Sequence, residues 1–288
     1  MANLKEIRGR IASITSTMQI TSAMKMVSAA KLKKAQDAIV MLRPYSEKLQ
    51  EIISNVSSAS DQENIPVYAR QRPVKKVLYI VITSNRGLAG AFNSSVIKEV
   101  NNNLRSNGAV EAQILTVGKK AHDAFRRSGR VYDNQSSVYD ALSFENVSKF
   151  TTDVMREFVN GTFDEVFLVY NQFVNAATQL VKTEKLLPIT MPEKDETKTV
   201  ETDYIFEPGR EAILDNLIPK SIRTQVFKAV LDSVAAEHGA RMTAMHKATD
   251  NATALKNDLL IYYNKARQAA ITNEILEIVS GAEALKNS

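Results

Sequence analysis

At 288 residues, with 44% hydrophobic and 24% charged side chains, the chain has the composition of an ordinary globular protein and length for one large or two small domains. Without cysteine it can form no disulfide, thiol nucleophile or thiolate metal site, and its three histidines (His122, His238, His246) are too scattered for a paired metal motif. The formal net charge is +5, and residues 1–58 alone carry an excess of that size, with nine Lys or Arg against four acids.

A positive arm of this kind seeks an acidic partner, phosphate or carboxylate. No run approaches the roughly eighteen apolar residues of a membrane span, and "MANLKEIRGRIAS" has charges where a signal peptide has its apolar stretch. The expectation is a protein made and kept in the cytoplasm. Asn3 and Glu6 have the spacing of a capping box, and Ile7, Ile11, Ile14 and Met18 recur at helical intervals. The seam is expected to continue in a shifted phase through Ile20, Met24 and Val27, then through Ala30, Ala35 and Ala38. Pro44 should kink the helix or mark its last third, and the pattern fades into "SNVSSASDQENIP".

Between about 74 and 207 short strands alternate with helices. "VLYIVI" is a continuous apolar run of strand length, "SNRGLAGAFN" a glycine-punctuated turn and "SSVIKEVNNNL" a helix; "AQILTVG", "KKAHDAFRRSG", "VSKFTTDVMREFVNG" and "EVFLVYN" continue the alternation. This is a βαβ pattern with a parallel sheet. "AATQLVKTEKLLPI" alternates with period two and reads as an edge strand or hairpin, and "TMPEKDETKTVETD" as a polar loop.

The C-terminal segment is again periodic. Met245, Ala248, Ala252, Leu255, Leu259, Tyr262, Ala266, Ala269 and Leu276 follow alternating three and four spacings, with Asn273 as the polar member. Pro219 followed by Ser221 offers a start, and Gly281 lies near the end. Each terminal segment has one apolar stripe, rich in small residues, and no partner nearby in sequence. The simplest solution is an α/β protein in which residues 1–58 and 208–288 form a long antiparallel coiled coil and residues 74–207 form an inserted Rossmann-like domain. A helix of roughly 50 residues is about 75 Å long, against a radius of gyration of about 15 Å for a domain of that size, so the pair is expected to project as a rod.

Candidate chemistry is sparse. The turn Ser84–Gly90 follows a strand and precedes a helix, where a phosphate loop would sit, but it lacks the Lys-Ser/Thr ending of a P-loop and the GxGxxG spacing. Met18, Met24, Met26, Met242 and Met245 read as seam residues. No catalytic triad or carboxylate pair has a defensible spacing, so no catalytic, cofactor or metal residue is assigned and no cofactor is implied. Nucleic acid is the competing partner for the basic arm, although residues 1–44 contain no aromatic side chain for base stacking.

The segments "ITSAMKMVSAAKLKKAQ" and "SNRGLAGAFNSS", and above all "ARMTAMHKATDNATALKNDLLIYYNKARQAAITNEILEIVSGAEAL", closely resemble the gamma subunit of F-type ATP synthase. The terminal "ITNEILEIVSGAEA" fits that family's signature, an I-T-x-E stretch leading to an acidic residue and Gly-Ala. The likeness covers essentially the whole chain. It departs at the turn, which reads Ser-Asn-Arg-Gly where many relatives have Asp before the Arg.

The resemblance implies a non-catalytic rotor shaft of a proton-translocating enzyme. The coiled coil would turn inside a hexamer of alternating alpha and beta subunits, with the α/β domain at the foot, on the ring of membrane c subunits beside the epsilon subunit. It implies a peripheral place on the cytoplasmic face of a bacterial inner membrane, touching the membrane only through the c ring, and no nucleic acid. Three contact zones follow from it. Met24, Lys25, Lys31 and Lys34 would face acidic lever loops of the beta subunits, and Arg267 and Gln268 would form a polar catch on a beta loop. Ile275, Ile278, Val279 and Leu285 would run in an apolar bearing. At the foot, Tyr204 and Glu207 would meet the c ring.

Overall fold

The computed structural model describes residues 4–58, 66–106, 110–189 and 209–286. Helix α1 (Leu4–Ser58) is followed by strands and helices in the order β1 (Lys76–Ile82), α2 (Phe92–Ser106), β2 (Glu111–Val117), α3 (Lys119–Phe125), β3 (Val131–Asn134), α4 (Phe144–Val159), β4 (Glu165–Phe173), β5 (Gln179–Leu187) and α5 (Arg210–Lys286). Packing divides the chain into two units, Ala29–Arg241 and Met1–Ser28 with Met242–Ser288. Each long helix therefore contributes to both units, whereas the boundaries expected from sequence followed the helix ends.

In the unit Ala29–Arg241 the strands form one sheet in the order β3-β2-β1-β4-β5. β1 to β4 are parallel, and β5 adds antiparallel to β4 at the edge. Val77 to Ile82 are buried on both faces, which is why the central strand reads as an unbroken apolar run. One face carries Leu78, Ile80, Leu115, Val166 and Leu168 against α4 and the α5 residues Leu214, Ile218, Ile222 and Val226. The other packs Tyr79, Val81, Ile114 and Val169 against α2 and α3. Strand β3, which the sequence did not announce, is four residues long and mostly exposed.

Helix α5 does not begin at Pro219; it starts at Arg210 and runs through the proline. An interior proline costs about 3 kcal/mol. Leu214 and Ile218, both buried against the sheet, recover about 1.5–3 kcal/mol each, so packing outweighs the lost backbone bond. Likewise α1 runs through Pro44, which is exposed, to Ser58, and α5 runs through Gly281 to Lys286. Asn3 of the expected capping box lies outside the described residues, and Glu6 instead pairs with Arg10 at 2.7 Å.

In the second unit the two helices pair antiparallel. Arg8 bonds Tyr263, Met18 meets Thr253, Thr21 bonds Thr249 and Lys25 bonds His246, and the two residue numbers of each pair add to 270 or 271. The register never slips. On α1 the buried and half-buried positions include Leu4, Ile7, Ile11, Ile14, Met18, Thr21, Lys25 and Ser28; on α5 they include Met242, Met245, Thr249, Ala252, Lys256, Leu259, Tyr263 and Ala266. This is an unbroken heptad.

The expected phase shift does not occur. Ile20 and Val27 are 59% and 57% exposed, and Thr21 and Ser28 are buried in their place. On α5, Leu255 and Tyr262 are likewise exposed, and Lys256 and Tyr263 take their places. Polar side chains keep the register because each finds a local partner. Thr21 and Thr249 share a hydrogen bond of 2.8 Å, and the Ser28 hydroxyl donates to the Met24 carbonyl at 2.7 Å.

Gly118, with φ 113°, joins β2 to α3, and a Cβ there would lie 2.2 Å from the Thr83 carbonyl oxygen. Gly118→Ala is expected to lower stability to urea by about 2–4 kcal/mol. Gly281→Ala, on a helix with open space around it, should leave stability unchanged or raise it by about 0.5–1 kcal/mol.

Candidate functional site

In a doubly wound sheet ligands bind at the carboxyl ends of the strands where the order reverses, here between β1 and β4. The turn Ser84–Gly90 leaves β1 at this place, and several of its polar groups are bonded within the chain. The Ser84 N–H donates to Asn93 Oδ1 (3.0 Å) and its hydroxyl to the Arg86 carbonyl (2.6 Å). The Asn85 amide donates to the Ser136 carbonyl (3.1 Å), and its oxygen accepts from the Lys119 N–H (2.9 Å). A phosphate loop turns N–H groups outward to an anion. Here the carbonyls of Arg86 and Gly87 accept from the Arg241 guanidinium of α5, at 3.3 and 3.2 Å.

The crevice itself is occupied by the chain's own helix. Ala236 and Ala240 of α5 pack on Ala89, Phe92 and Phe173. Asn171, at the end of β4, donates to the Phe92 carbonyl at 2.9 Å. A Cβ on Gly239 would lie 3.2 Å from Ala176 Cα. Gly239 thus serves close approach of α5 to the β4–β5 connection.

Around this contact lie charges that the sequence reading did not single out. Glu237 and Arg241 form an ion pair one helical turn apart, with side chains only 11% and 9% exposed. Burial raises the Glu237 carboxyl above its ordinary range, opposed by Arg241 and Lys31. His238 is pushed down to about 4 by burial, with Arg241 and Lys31 adding repulsion. Earlier on α5, burial raises Asp232 to about 6, opposed by Lys228, while Glu184 raises it further. The one available signal was the Glu-x-x-x-Arg spacing of an intrahelical pair, which does not reveal burial.

The contact residues expected from resemblance are spread along the helices rather than gathered. Met24 is half-buried. Lys25 occupies a seam position, with its ammonium 3.3 Å from Nδ1 of His246, and that nitrogen is also 3.5 Å from Asp250. Nδ1 serves Lys25 only as an unprotonated acceptor and Asp250 only as a protonated donor. Lys31 and Lys34 are exposed, as are Arg267 and Gln268, which immediately follow the last described seam residue, Ala266. Ile275, Ile278 and Val279 are exposed, Ile278 by 70%. The side chain of Leu285, and Tyr204 and Glu207 altogether, lie outside the described residues. Among the described residues no cluster of His, Asp or Glu can hold a metal, and no helix is long and apolar enough to cross a membrane.

A parallel α/β domain whose ligand crevice is filled by one of two long antiparallel helices defines a stalk-type subunit. Residues 3–285 match the family described as ATP synthase. The chain is 58% identical to the ATP synthase gamma chain of Flavobacterium psychrophilum, over 99% of this chain and 100% of that one. It is 42% identical to that of Geobacter sp. strain M21, with the same coverage. Among solved structures it is similar to the central stalk and c-ring assembly of Tetrahymena thermophila mitochondrial ATP synthase, with 26% identity and a TM-score of 0.58 over 80% of this chain and 99% of that one. It also shares the fold of a rotor chain of Euglena gracilis mitochondrial ATP synthase, with 22% identity and a TM-score of 0.64 over 93% and 98% of the two chains. The chain belongs to the ATP synthase gamma chain family, and its role is that of the central rotor shaft of a rotary ATP synthase. These comparisons give the nucleic-acid reading no support.

Two buried titrating groups of α5, His238 and Asp232, make opposite contributions to stability. Folded His238 stays neutral down to about pH 4, whereas an unfolded histidine binds its proton near pH 6.5. The unfolded state then holds more protons, so this contribution rises with pH across that window. Folded Asp232 keeps its proton up to about pH 6, whereas an unfolded aspartate loses it near pH 3.9. The folded state then holds more protons, so this contribution falls as pH rises. Relative to wild type, His238→Gln is expected to tilt stability downward with rising pH between about 4 and 6, and Asp232→Asn upward. Chemical denaturation across that range checks both signs.

Proposed function

We propose that the chain has no active site of its own and transmits torque between a turning ring of membrane c subunits and the nucleotide sites on the beta subunits. What carries this reading is the unslipped antiparallel register from Leu4/Ala266 to Ser28/Met242, beyond which α5 continues as a helix with Ile275, Ile278 and Val279 exposed. Such apolar surface bare to water is a liability. In a sleeve formed by the alpha and beta subunits it is a bearing, with few directional bonds to break on rotation.

The physics of coupling is differential contact. A shaft with unequal faces inside three quasi-equivalent sites favours a different state of each at any one angle, so turning converts into sequential binding and release. Arg267 and Gln268, exposed immediately beyond the seam, act as the catch on a beta loop. Met24, Lys25, Lys31 and Lys34 serve the acidic levers, with Lys25 held by His246 until a carboxylate competes for it. Tyr204 and Glu207 meet the c ring, and the epsilon subunit lies beside them. The chain works as a peripheral subunit on the cytoplasmic face of the inner membrane.

The double variant Arg267→Ala, Gln268→Ala is expected to cut ATP turnover of the reconstituted complex severalfold, while circular dichroism of the isolated chain is unchanged because both side chains are exposed. Unchanged turnover removes the catch from the mechanism.

A further inference from the structure

Among the described residues at the end of the sheet where the parallel strands begin, cations outnumber carboxylates. Arg70 precedes β1, Lys75 adjoins its first residue, and Arg105 lies in the last turn of α2, which descends to the start of β2. Arg126 caps α3, and Arg127 and Arg130 follow in the turn to β3. The Arg130 carbonyl accepts from the Ile114 N–H, so this turn lies within about three residues, roughly 10 Å, of the level at which β2 begins. All six side chains are exposed.

Most of the carboxylates at this end are already engaged. Glu111 pairs with Lys76 at 3.4 Å and Glu165 with Lys185 at 2.6 Å. Asp164 accepts from the backbone N–H groups of Lys75 and Lys76, at 2.9 and 3.0 Å. Glu157 accepts from the Thr162 hydroxyl at 2.7 Å. Asp123 lies one turn back on α3, and among the described residues it is ion-paired to none of the six cations, nor is any other carboxylate. Helix C-termini favour basic residues, which accounts for Arg105 and Arg126. It does not account for Lys75 or Arg130, which lie on no helix, and Arg70 follows only a single 3-10 turn, Val67–Ala69.

We propose that this end of the α/β unit binds an anionic phospholipid surface directly, its six exposed cations meeting headgroup phosphates. The cations line strand starts and helix ends along one edge instead of a groove, and the exposed aromatic ring near them, Tyr132, two residues from Arg130, packs edge-on against Phe163, so among the described residues no run of rings interleaves the charges for base stacking. Val74, 40% exposed within "RQRPVKK", places an apolar side chain among the charges, a pairing suited to the headgroup boundary. β5 itself ends at this same end, since Leu187 pairs with Val166 and Ile189 donates to the Tyr68 carbonyl. The inference rests on the rotor reading for bringing a membrane within reach, and it adds lipid to a foot otherwise assigned to the c ring alone.

The test is sedimentation of the full-length chain with vesicles of phosphatidylcholine, with and without about a third phosphatidylglycerol. Wild type should partition onto the anionic vesicles at least tenfold more than onto the neutral ones, and less as salt rises. Arg126→Gln, Arg127→Gln, Arg130→Gln should lose roughly tenfold or more. The charge-matched control Lys33→Gln, Lys247→Gln, Lys265→Gln should lose little. Equal losses in the two triple variants, or equal binding to both vesicle types, overturn the proposal. Duplex DNA binding as tight as vesicle binding, and equally lost in the arginine variant, would replace a lipid surface with a generic polyanion site and also overturn it. Vesicle binding needs no other subunit, so a failure here leaves the rotor reading standing, and a failed catch variant leaves this inference standing.

Discussion

The constraint on which the coiled-coil unit depends is register. Two helices joined only through a whole intervening domain gain nothing from short turns or local contacts, so their alignment must be fixed by the seam itself. Here it is fixed by large apolar side chains on α1 (Ile7, Ile11, Ile14, Met18) and by a stretch in which Thr21, Lys25 and Ser28 replace them. A slip of one heptad would part the Thr21–Thr249 hydrogen bond and the Lys25–His246 contact together. Polar seam positions cost some stability and restrict alternatives. For a shaft, that trade has a mechanical meaning, because torque is transmitted without loss only if neither strand creeps past the other.

The α/β unit turns the same helix to a different use. Its sheet has the topology of a nucleotide-binding fold, yet Ala236, Gly239 and Ala240 bring α5 into the crevice at the strand ends, and Arg241 takes the carbonyls of the turn that could have cradled phosphate. The buried Glu237–Arg241 pair is unfavourable to desolvate and gains its value from geometry: removing either partner strands a charge. It ties a helix to a loop in one rotation about the helix axis, which close-packed alanines alone would not specify.

The sheet and the two terminal helices were legible because their signals are long and redundant. An all-apolar β1 and four heptads of C-terminal periodicity leave few alternatives. The seam's phase was not legible, since reading apolar residues alone favours Ile20, Val27, Leu255 and Tyr262 over Thr21, Ser28, Lys256 and Tyr263, and the structure chose the polar or amphipathic set. Long side chains bury their stems while their heads reach water, so Lys256 can close a seam that Leu255 leaves. The start of α5 was misread for a similar reason: a proline is a local signal, and the burial of Leu214 and Ile218 is a tertiary one. β3 was missed because four mostly exposed residues carry no period. Of the expected contact residues, the identities came from resemblance, and nothing in spacing alone separates Arg267 from any other solvated arginine.

Charge, finally, is distributed by what lies beside it. The basic residues of α1 drew attention first because they account for the chain's net excess, yet one of them, Lys25, is held within the seam, and Lys31 acts on the buried groups of α5. The strand-start end of the sheet carries less conspicuous cations, dispersed over three separate stretches of sequence between Arg70 and Arg130, and only the parallel topology collects them. A sum over a contiguous segment finds arms and tails. It does not find a surface assembled from the ends of strands, where each connection contributes one to three charges and the fold supplies the alignment.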